Sequence, residues 1–224
     1  MSIKNNIHEI ISSLPPNATL IAVTKTHPVE KLEELYETGH RLFGENKVQE
    51  MVDKYEKLPK DIQWHLIGHL QTNKVKFIAP FVSLIHSVDS FNLLKEINKQ
   101  ATKNNRIINC LLQIYIAKEE SKFGLDYAEA EKILNSKELS ELKNIKIIGL
   151  MGMASNNNYQ EMIAKEFNQL NNFYTKHKNI ATNNIHFSIL CMGMSNDYMV
   201  ALQNGSNMVR IGSKIFGERQ TSFR

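Results

Sequence analysis

Cysteine is scarce in this sequence, since only Cys110 and Cys191 occur among its 224 residues. Two cysteines are too few for the disulfide framework of a secreted protein, and their spacing is not that of a metal-binding pair. Long hydrophobic runs are also missing, and the N-terminal residues lack the apolar segment of a signal peptide. We therefore expect a cytoplasmic protein that does not enter a membrane.

A strong excess of charge of either sign is lacking too. The 27 Lys and Arg residues are nearly matched by 23 Asp and Glu residues, which gives a formal net charge of +4. No basic run with interleaved aromatic residues occurs, so we expect no nucleic-acid partner. No linker rich in Pro, Gly or Ser divides the chain, and its length suffices for a full core. We predict one domain over residues 1–224.

Short apolar runs alternate with longer amphipathic stretches along the whole chain. Eight strands, each followed by a helix, predict an α/β fold: a single (β/α)8 TIM-type barrel with an extra N-terminal helix at about residues 3–14. An open doubly wound sheet is the alternative, because alternation alone does not distinguish a closed barrel from an open edge. The predicted strands cover residues 20–23, 41–43, 63–66, 84–88, 107–116, 146–150, 185–189 and 208–211.

Two helix starts carry recognisable end signals. Asp126 and Glu129 have the spacing of a capping box, in which each side chain accepts the other residue's backbone N–H. Ser195 or Asn196 is expected to cap a helix after the seventh strand. One helix is therefore predicted to begin after Asp126, and another after Ser195 or Asn196.

Lys25 stands at the mouth of the first predicted strand, at the end of a short apolar run and just before a helix. A lysine at the mouth of a buried strand is poorly solvated, which disfavours its ammonium form and lowers its pKa. A deprotonated amine can condense with an aldehyde to form a Schiff base. An isolated lysine in such a loop is more often an ordinary surface residue, so this interpretation depends on the rest of the chain.

Segments of small residues follow the last two predicted strands, where barrels of this kind frequently bind phosphate. One segment contains Met192, Gly193 and Ser195, and the other contains Gly212 and Ser213. Glycine lets an anion approach the backbone, and N–H groups at a helix start supply donors. Each segment alone could be a tight turn, but their joint occurrence favours a phosphate site.

Polar residues end three further predicted strands. The guanidinium of Arg210 cannot deprotonate at ordinary pH, so it would donate to an aromatic nitrogen and leave that nitrogen unprotonated, unless it forms a structural salt bridge. Asn46 follows the second strand and can reach a ligand. His65 and His69 are four residues apart, but they lie on a strand and loop and not on one helical face. We therefore expect no metal site there.

Together these motifs resemble those of the pyridoxal phosphate (PLP) homeostasis protein family, whose barrels are similar to the N-terminal domain of alanine racemase. The resemblance runs from about Leu20 to Gly217, nearly the whole chain. The segments that carry it are residues 22–26 (AVTKT), 43–46 (FGEN), 65–68 (HLIG), 149–151 (GLM), 192–195 (MGMS) and 209–212 (VRIG).

The resemblance implies that Lys25 carries PLP as an internal aldimine. The phosphate would lie between the 192–195 loop and the Gly212–Ser213 backbone, with Arg210 facing the pyridine nitrogen. An unprotonated pyridine is a weaker electron sink, which gives poor support to carbanion chemistry. In this family Cys191 stands where serine is usual, which could remove a phosphate donor or bring a thiol near the aldehyde.

The resemblance further implies a carrier without catalytic turnover. It would bind PLP and other B6 vitamers and supply PLP to apo-enzymes, as a monomer or weak dimer. The alternative is a PLP-dependent amino-acid racemase, which needs a second base, usually a tyrosine from a separate β domain. No such domain follows in this sequence, although Tyr115 or Tyr198 could take that place. The carrier is therefore the favoured function.

Overall fold

A computed structural model describes residues 2–117, 123–156, 159–180 and 182–217. Eight parallel strands close into a barrel in chain order, and the last strand pairs with the first. The (β/α)8 prediction is confirmed, because the closed barrel leaves no open edge. Across these described ranges, no helix has both the length and the apolar character required to cross a membrane.

The elements follow one another in regular alternation. The strands are β1 (Thr19–Val23), β2 (Leu42–Glu45), β3 (Gln63–Leu66), β4 (Leu84–Val88), β5 (Ile108–Tyr115), β6 (Ile145–Met153), β7 (Ile185–Cys191) and β8 (Met208–Ile211). The α-helices are α1 (Ile3–Ser13), α2 (Val29–Glu37), α3 (Val48–Lys57), α4 (Val75–Ile78), α5 (Phe91–Lys103), α6 (Tyr127–Leu134), α7 (Gln160–His177), α8 (Tyr198–Gln203) and α9 (Ser213–Phe216). Short 3-10 helices cover Thr72–Lys74 and Lys137–Glu141.

The strands separate two hydrophobic cores, because successive side chains point to opposite faces of a sheet. Outward-facing side chains such as Phe43 and Trp64 belong to the large core between the barrel and its helices. A smaller core fills the barrel interior and consists of Ile21, Leu84, Leu111, Met151, Cys191 and Met208. The barrel is thus a packed core and not a pore, so a ligand site is expected only at its end.

The predicted N-terminal helix is present as α1 and lies against α2 and α9. Its buried face carries Ile3, Ile7 and Ile10. The side-chain amide of Asn6 donates to the carbonyl of Ile215 at 2.9 Å. Helix α1 is therefore tied to the segment that follows β8, which carries two of the predicted site residues.

The two helix-start predictions have different outcomes. The capping box of α6 is confirmed, since Asp126 accepts the Glu129 N–H at 2.7 Å and Glu129 accepts the Asp126 N–H at 2.9 Å. The expected cap of α8 is wrong, because the residue before that helix is Asp197. Its carboxylate accepts the N–H of Met194 at 2.6 Å, which closes the turn between β7 and α8.

Candidate functional site at the carboxyl end of the barrel

A cavity of about 330 Å³, hereafter the mouth cavity, lies where the strands end. Its volume falls in the range of small-molecule sites. Parallel strands bring the residues after their carboxyl ends to one rim, which is why positions far apart in sequence meet here. Six of the eight predicted site residues line it: Lys25, Asn46, Ser195, Arg210, Gly212 and Ser213.

Met192 and Gly193, the other two predicted residues, are outside this lining. Met192 is fully buried, and its N–H donates to the hydroxyl of Ser206 at 3.2 Å. Gly193 has φ +95°, and a Cβ there would lie 2.7 Å from the Cβ of Ala201. These two residues shape the tight turn after β7, and that turn brings the next loop residues to the cavity.

The loops after β7 and β8 meet on one side of the mouth cavity. The hydroxyl of Ser195 accepts the N–H of Gly212 at 3.3 Å, and exposed Ser213 follows at the start of α9. A second cavity of about 610 Å³ adjoins the first and shares with it Met153, Met194, Ser195 and Ser213. Hydroxyl and backbone N–H groups are the neutral donors that bind phosphate oxygens.

Arg210 closes the inner end of the mouth cavity and is only 3% exposed. Its Nη2 donates to the carbonyl of Gly152 at 3.4 Å, whereas its Nη1 has no hydrogen-bond partner among the described residues. A structural salt bridge, the alternative considered above, is not formed with any described side chain. An unpaired buried cationic donor is costly, so this atom fits a ligand acceptor.

A chain of polar side chains lies inside the barrel beside Arg210. His65 Nδ1 is 2.8 Å from His86 Nε2, and His86 Nδ1 is 3.5 Å from Cys191 Sγ. Burial lowers the pKa of His65 to about 3. Burial, with the nearby His65 and Arg210, also holds the pKa of His86 well below its ordinary value. Both imidazoles are therefore neutral, so neither adds a second positive charge beside Arg210.

Cys191 belongs to this interior chain and not to the loop that follows β7. It is fully buried, it is outside the lining of the mouth cavity, and burial raises the pKa of its thiol while Arg210 opposes that rise. Both effects considered for this thiol from the sequence would require it to face the cavity, whereas it points into the barrel interior.

Lys25 is half-buried and lies two residues after the end of β1. Thr24 before it is fully buried, and Thr26 after it has φ +66°, a conformation that β-branched residues rarely adopt. Glu45 ends β2 on the outer face of the barrel, so it does not share the cavity with Asn46. Burial raises the pKa of Glu45 to about 6, against the opposing charge of Lys54.

Several lining residues were not predicted from the sequence. Gln113 on β5 is one of them. A polar residue within an otherwise apolar strand could have indicated a ligand contact. His69 and Phe123 are others: their rings stack with centroids 4.1 Å apart, and His69 Nδ1 lies 3.1 Å from Asp89 Oδ2. No local pattern indicates that contact. Among the described residues, no cluster of three or more potential metal ligands is found.

Comparison with known proteins places this geometry in a class. The family model described as the alanine racemase N-terminal domain matches residues 1–220. A solved structure of alanine racemase from Clostridium difficile is similar with a TM-score of 0.76, covering 99% of this chain and 58% of that one, at 15% identity. That likeness concerns the fold alone. The class is therefore a barrel of the alanine racemase N-terminal type.

More similar relatives narrow the assignment. A pyridoxal phosphate homeostasis protein of Aquifex aeolicus is 39% identical over 91% of this chain and 88% of its own length. The Escherichia coli K12 protein of that name is 34% identical over 93% and 88%. The structure of Synechococcus elongatus PipY with PLP bound has a TM-score of 0.87 at 34% identity, covering 96% of this chain and all of that one. The chain belongs to the pyridoxal phosphate homeostasis protein family.

Proposed function

We propose that this protein binds PLP in the mouth cavity, with Lys25 as the covalent attachment point, and serves intracellular PLP homeostasis. One observation carries the proposal. Among the described residues that line the mouth cavity, Lys25 is the one lysine, and it shares the cavity with the Nη1 of buried Arg210, which has no described hydrogen-bond partner. An aldehyde ligand with an aromatic nitrogen acceptor matches this pair of groups. The name of the relatives and the PLP in PipY support the same ligand.

The remaining lining residues fit the other parts of such a ligand. Ser195, Ser213 and the backbone at Gly212 would hold the phosphate, and Asn46 would contact the ring side of the cavity. When bound, PLP supplies a reactive aldehyde and an electron sink whose strength depends on protonation of the ring nitrogen. Arg210 can only donate, so it would keep that nitrogen unprotonated. This favours storage of the cofactor over turnover of an amino acid.

The positions of the two tyrosines considered as a second base do not support the racemase alternative. Tyr115 and Tyr198 were the candidates, and neither is among the described residues that line the mouth cavity. We therefore propose a carrier that supplies PLP, or related B6 vitamers, to apo-enzymes in the cytoplasm. Reactivation of an apo-enzyme by the loaded protein, compared with an equal amount of free PLP, tests this delivery.

The attachment point is tested by the absorbance spectrum of the purified protein after PLP addition, before and after borohydride reduction, with peptide mapping. We expect a visible band that reduction fixes on the peptide containing Lys25. Lys25→Ala should lose the adduct and keep its fold, since a half-buried strand-end lysine contributes little to the core. Lys74→Ala, which removes an exposed lysine after β3, is the control. Labelling that persists in Lys25→Ala would contradict the proposal.

A further inference from the structure

A group of three charged side chains, two of them buried and one partly exposed, is hereafter called the ion cluster. It holds the backbone on both sides of Lys25. It consists of Glu45 at the end of β2 and Glu50 and Lys54 on α3. Lys54 Nζ donates to Glu45 Oε1 and to Glu50 Oε1, both at 2.7 Å. The same nitrogen donates to the carbonyl of Thr24 at 2.8 Å, so the peptide before Lys25 is fixed by the cluster.

The peptide after Lys25 is fixed by the same cluster. The N–H of Thr26 donates to Glu50 Oε1 at 2.5 Å, and the hydroxyl of Thr24 donates to Glu45 Oε1 at 2.5 Å. Thr26 has φ +66°, which is strained for a β-branched residue and persists only where the surroundings impose it. The carboxylate of Glu50 holds the N–H of Thr26 in this conformation. The backbone on either side of Lys25 is therefore constrained in direction.

Stability alone does not explain this arrangement. The side chains of Lys54 and Glu45 are 6% and 0% exposed, and Glu45 Oε2 has no hydrogen-bond partner among the described residues. Desolvation of such charges offsets most of their attraction, and apolar side chains of similar volume often serve the fold equally well. Burial also leaves Glu45 with a pKa raised to about 6, a sign that its charge is poorly compensated.

We infer that Glu50 and Lys54 are positioning residues, which aim the amine of Lys25 into the mouth cavity by fixing the peptides on both sides of it. This inference rests on the proposed function, because it concerns the reaction of Lys25 with PLP. Neither residue lines the mouth cavity, so they act through the backbone and do not touch the ligand. Attack of an amine on an aldehyde depends steeply on alignment, and this constraint supplies it before the ligand arrives.

The test compares rates of PLP capture by stopped-flow absorbance in Glu50→Ala, Glu50→Gln and Lys54→Met. Glu50→Ala removes the acceptor for the Thr26 N–H, and we expect capture to slow roughly 10- to 100-fold. Glu50→Gln keeps an amide oxygen at that place and should retain most of the wild-type rate. Lys54→Met should slow capture as Glu50→Ala does. Glu56→Ala, an exposed position on the same helix, should change nothing.

Thermal unfolding of each PLP-free variant separates positioning from folding. Glu50 is partly exposed, with 23% of its side chain accessible, so Glu50→Ala is expected to fold even if Lys54→Met does not. Wild-type capture rates in folded Glu50→Ala would overturn the inference, as would equal slowing in Glu50→Ala and Glu50→Gln. If the wild-type chain captures no PLP on Lys25, the proposed function itself fails. If wild type and Glu50→Ala both capture PLP at the normal rate, only the positioning role fails and the proposed function stands.

Discussion

At the scale of single residues, Arg210 is the side chain whose surroundings are most informative. It is a permanent cation in a buried interior whose two histidines are neutral, and one of its terminal nitrogens has no described partner. Its place at the end of a strand was predictable, because barrel topology brings strand ends together. That Nη1 of Arg210 has no described hydrogen-bond partner was not predictable, since this depends on the side chains of every neighbouring strand.

Replacing Arg210 by methionine should weaken PLP retention and shift the absorbance of the bound cofactor. A hydrogen bond from a charged donor contributes about 1.5–3 kcal/mol, so the dissociation constant should rise roughly 10- to 100-fold. Equilibrium titration followed by absorbance measures both quantities. Arg106→Met is the matched control, because Arg106 donates to the carbonyls of Ala79 and Val82 away from the site. An unchanged spectrum with unchanged affinity in Arg210→Met would rule out the pyridine contact.

The surroundings of Lys25 show what local sequence leaves undetermined. Its position after a buried strand was predictable from the apolar run that precedes it. The hydrogen bond from Lys54 to the carbonyl of Thr24 joins residues 30 positions apart. It forms only because α3 packs outside β2 and β3, next to the segment that follows β1. The left-handed conformation of Thr26 contradicts the local preference of threonine. Both features depend on tertiary packing, which the local sequence does not reveal.

At the scale of elements, the strand predictions agree closely with the barrel. Residues 63–66, 84–88 and 208–211 match β3, β4 and β8 residue for residue. The sixth strand is longer than predicted and ends at Met153 instead of residue 150. Glycine usually weakens a strand, but at Gly149 the backbone of Ile189 approaches so closely that a side chain would not fit.

Gly149→Ala should therefore destabilise the pairing of β6 with β7. A Cβ at this position would lie 1.7 Å from the carbonyl oxygen of Ile189, and φ is +154°. We expect the free energy of unfolding to fall by about 3 kcal/mol or more, measured by urea denaturation. Gly39→Ala has an unfavourable φ of +90° but nothing within 4 Å, so it should cost about 1–2 kcal/mol. Equal losses in the two variants would show that the close approach is unimportant.

At the scale of the whole molecule, the buried histidines couple folding to pH. An unfolded histidine has a pKa near 6.5, whereas burial lowers the pKa of His65 to about 3 and that of His86 well below its usual value. The neutral histidines therefore contribute stability that is complete above pH 6.5 and is lost as pH falls towards their folded values. Glu45 acts oppositely, since its raised pKa favours the folded state as pH falls through about 6.

We expect the histidines to dominate, with the free energy of unfolding lower at pH 5 than at pH 7 by about 2–3 kcal/mol. Urea denaturation at both pH values measures this difference. His86→Gln should reduce the difference, whereas His8→Gln, an exposed position on α1, should leave it unchanged. Stability that is flat or rises between pH 7 and pH 5 in the wild-type chain would contradict the expectation.

The burial of both cysteines has a consequence for oxidative stress. Cys110 and Cys191 are free thiols inside the folded chain, and burial raises the pKa of each. Peroxide and disulfide reagents attack exposed thiolates, so neither residue is a target while the barrel stays closed. A protein that stores a reactive aldehyde would thus keep its capacity when the thiols of its surroundings are oxidised. The proposed binding of PLP would then be independent of the oxidation state of these two thiols.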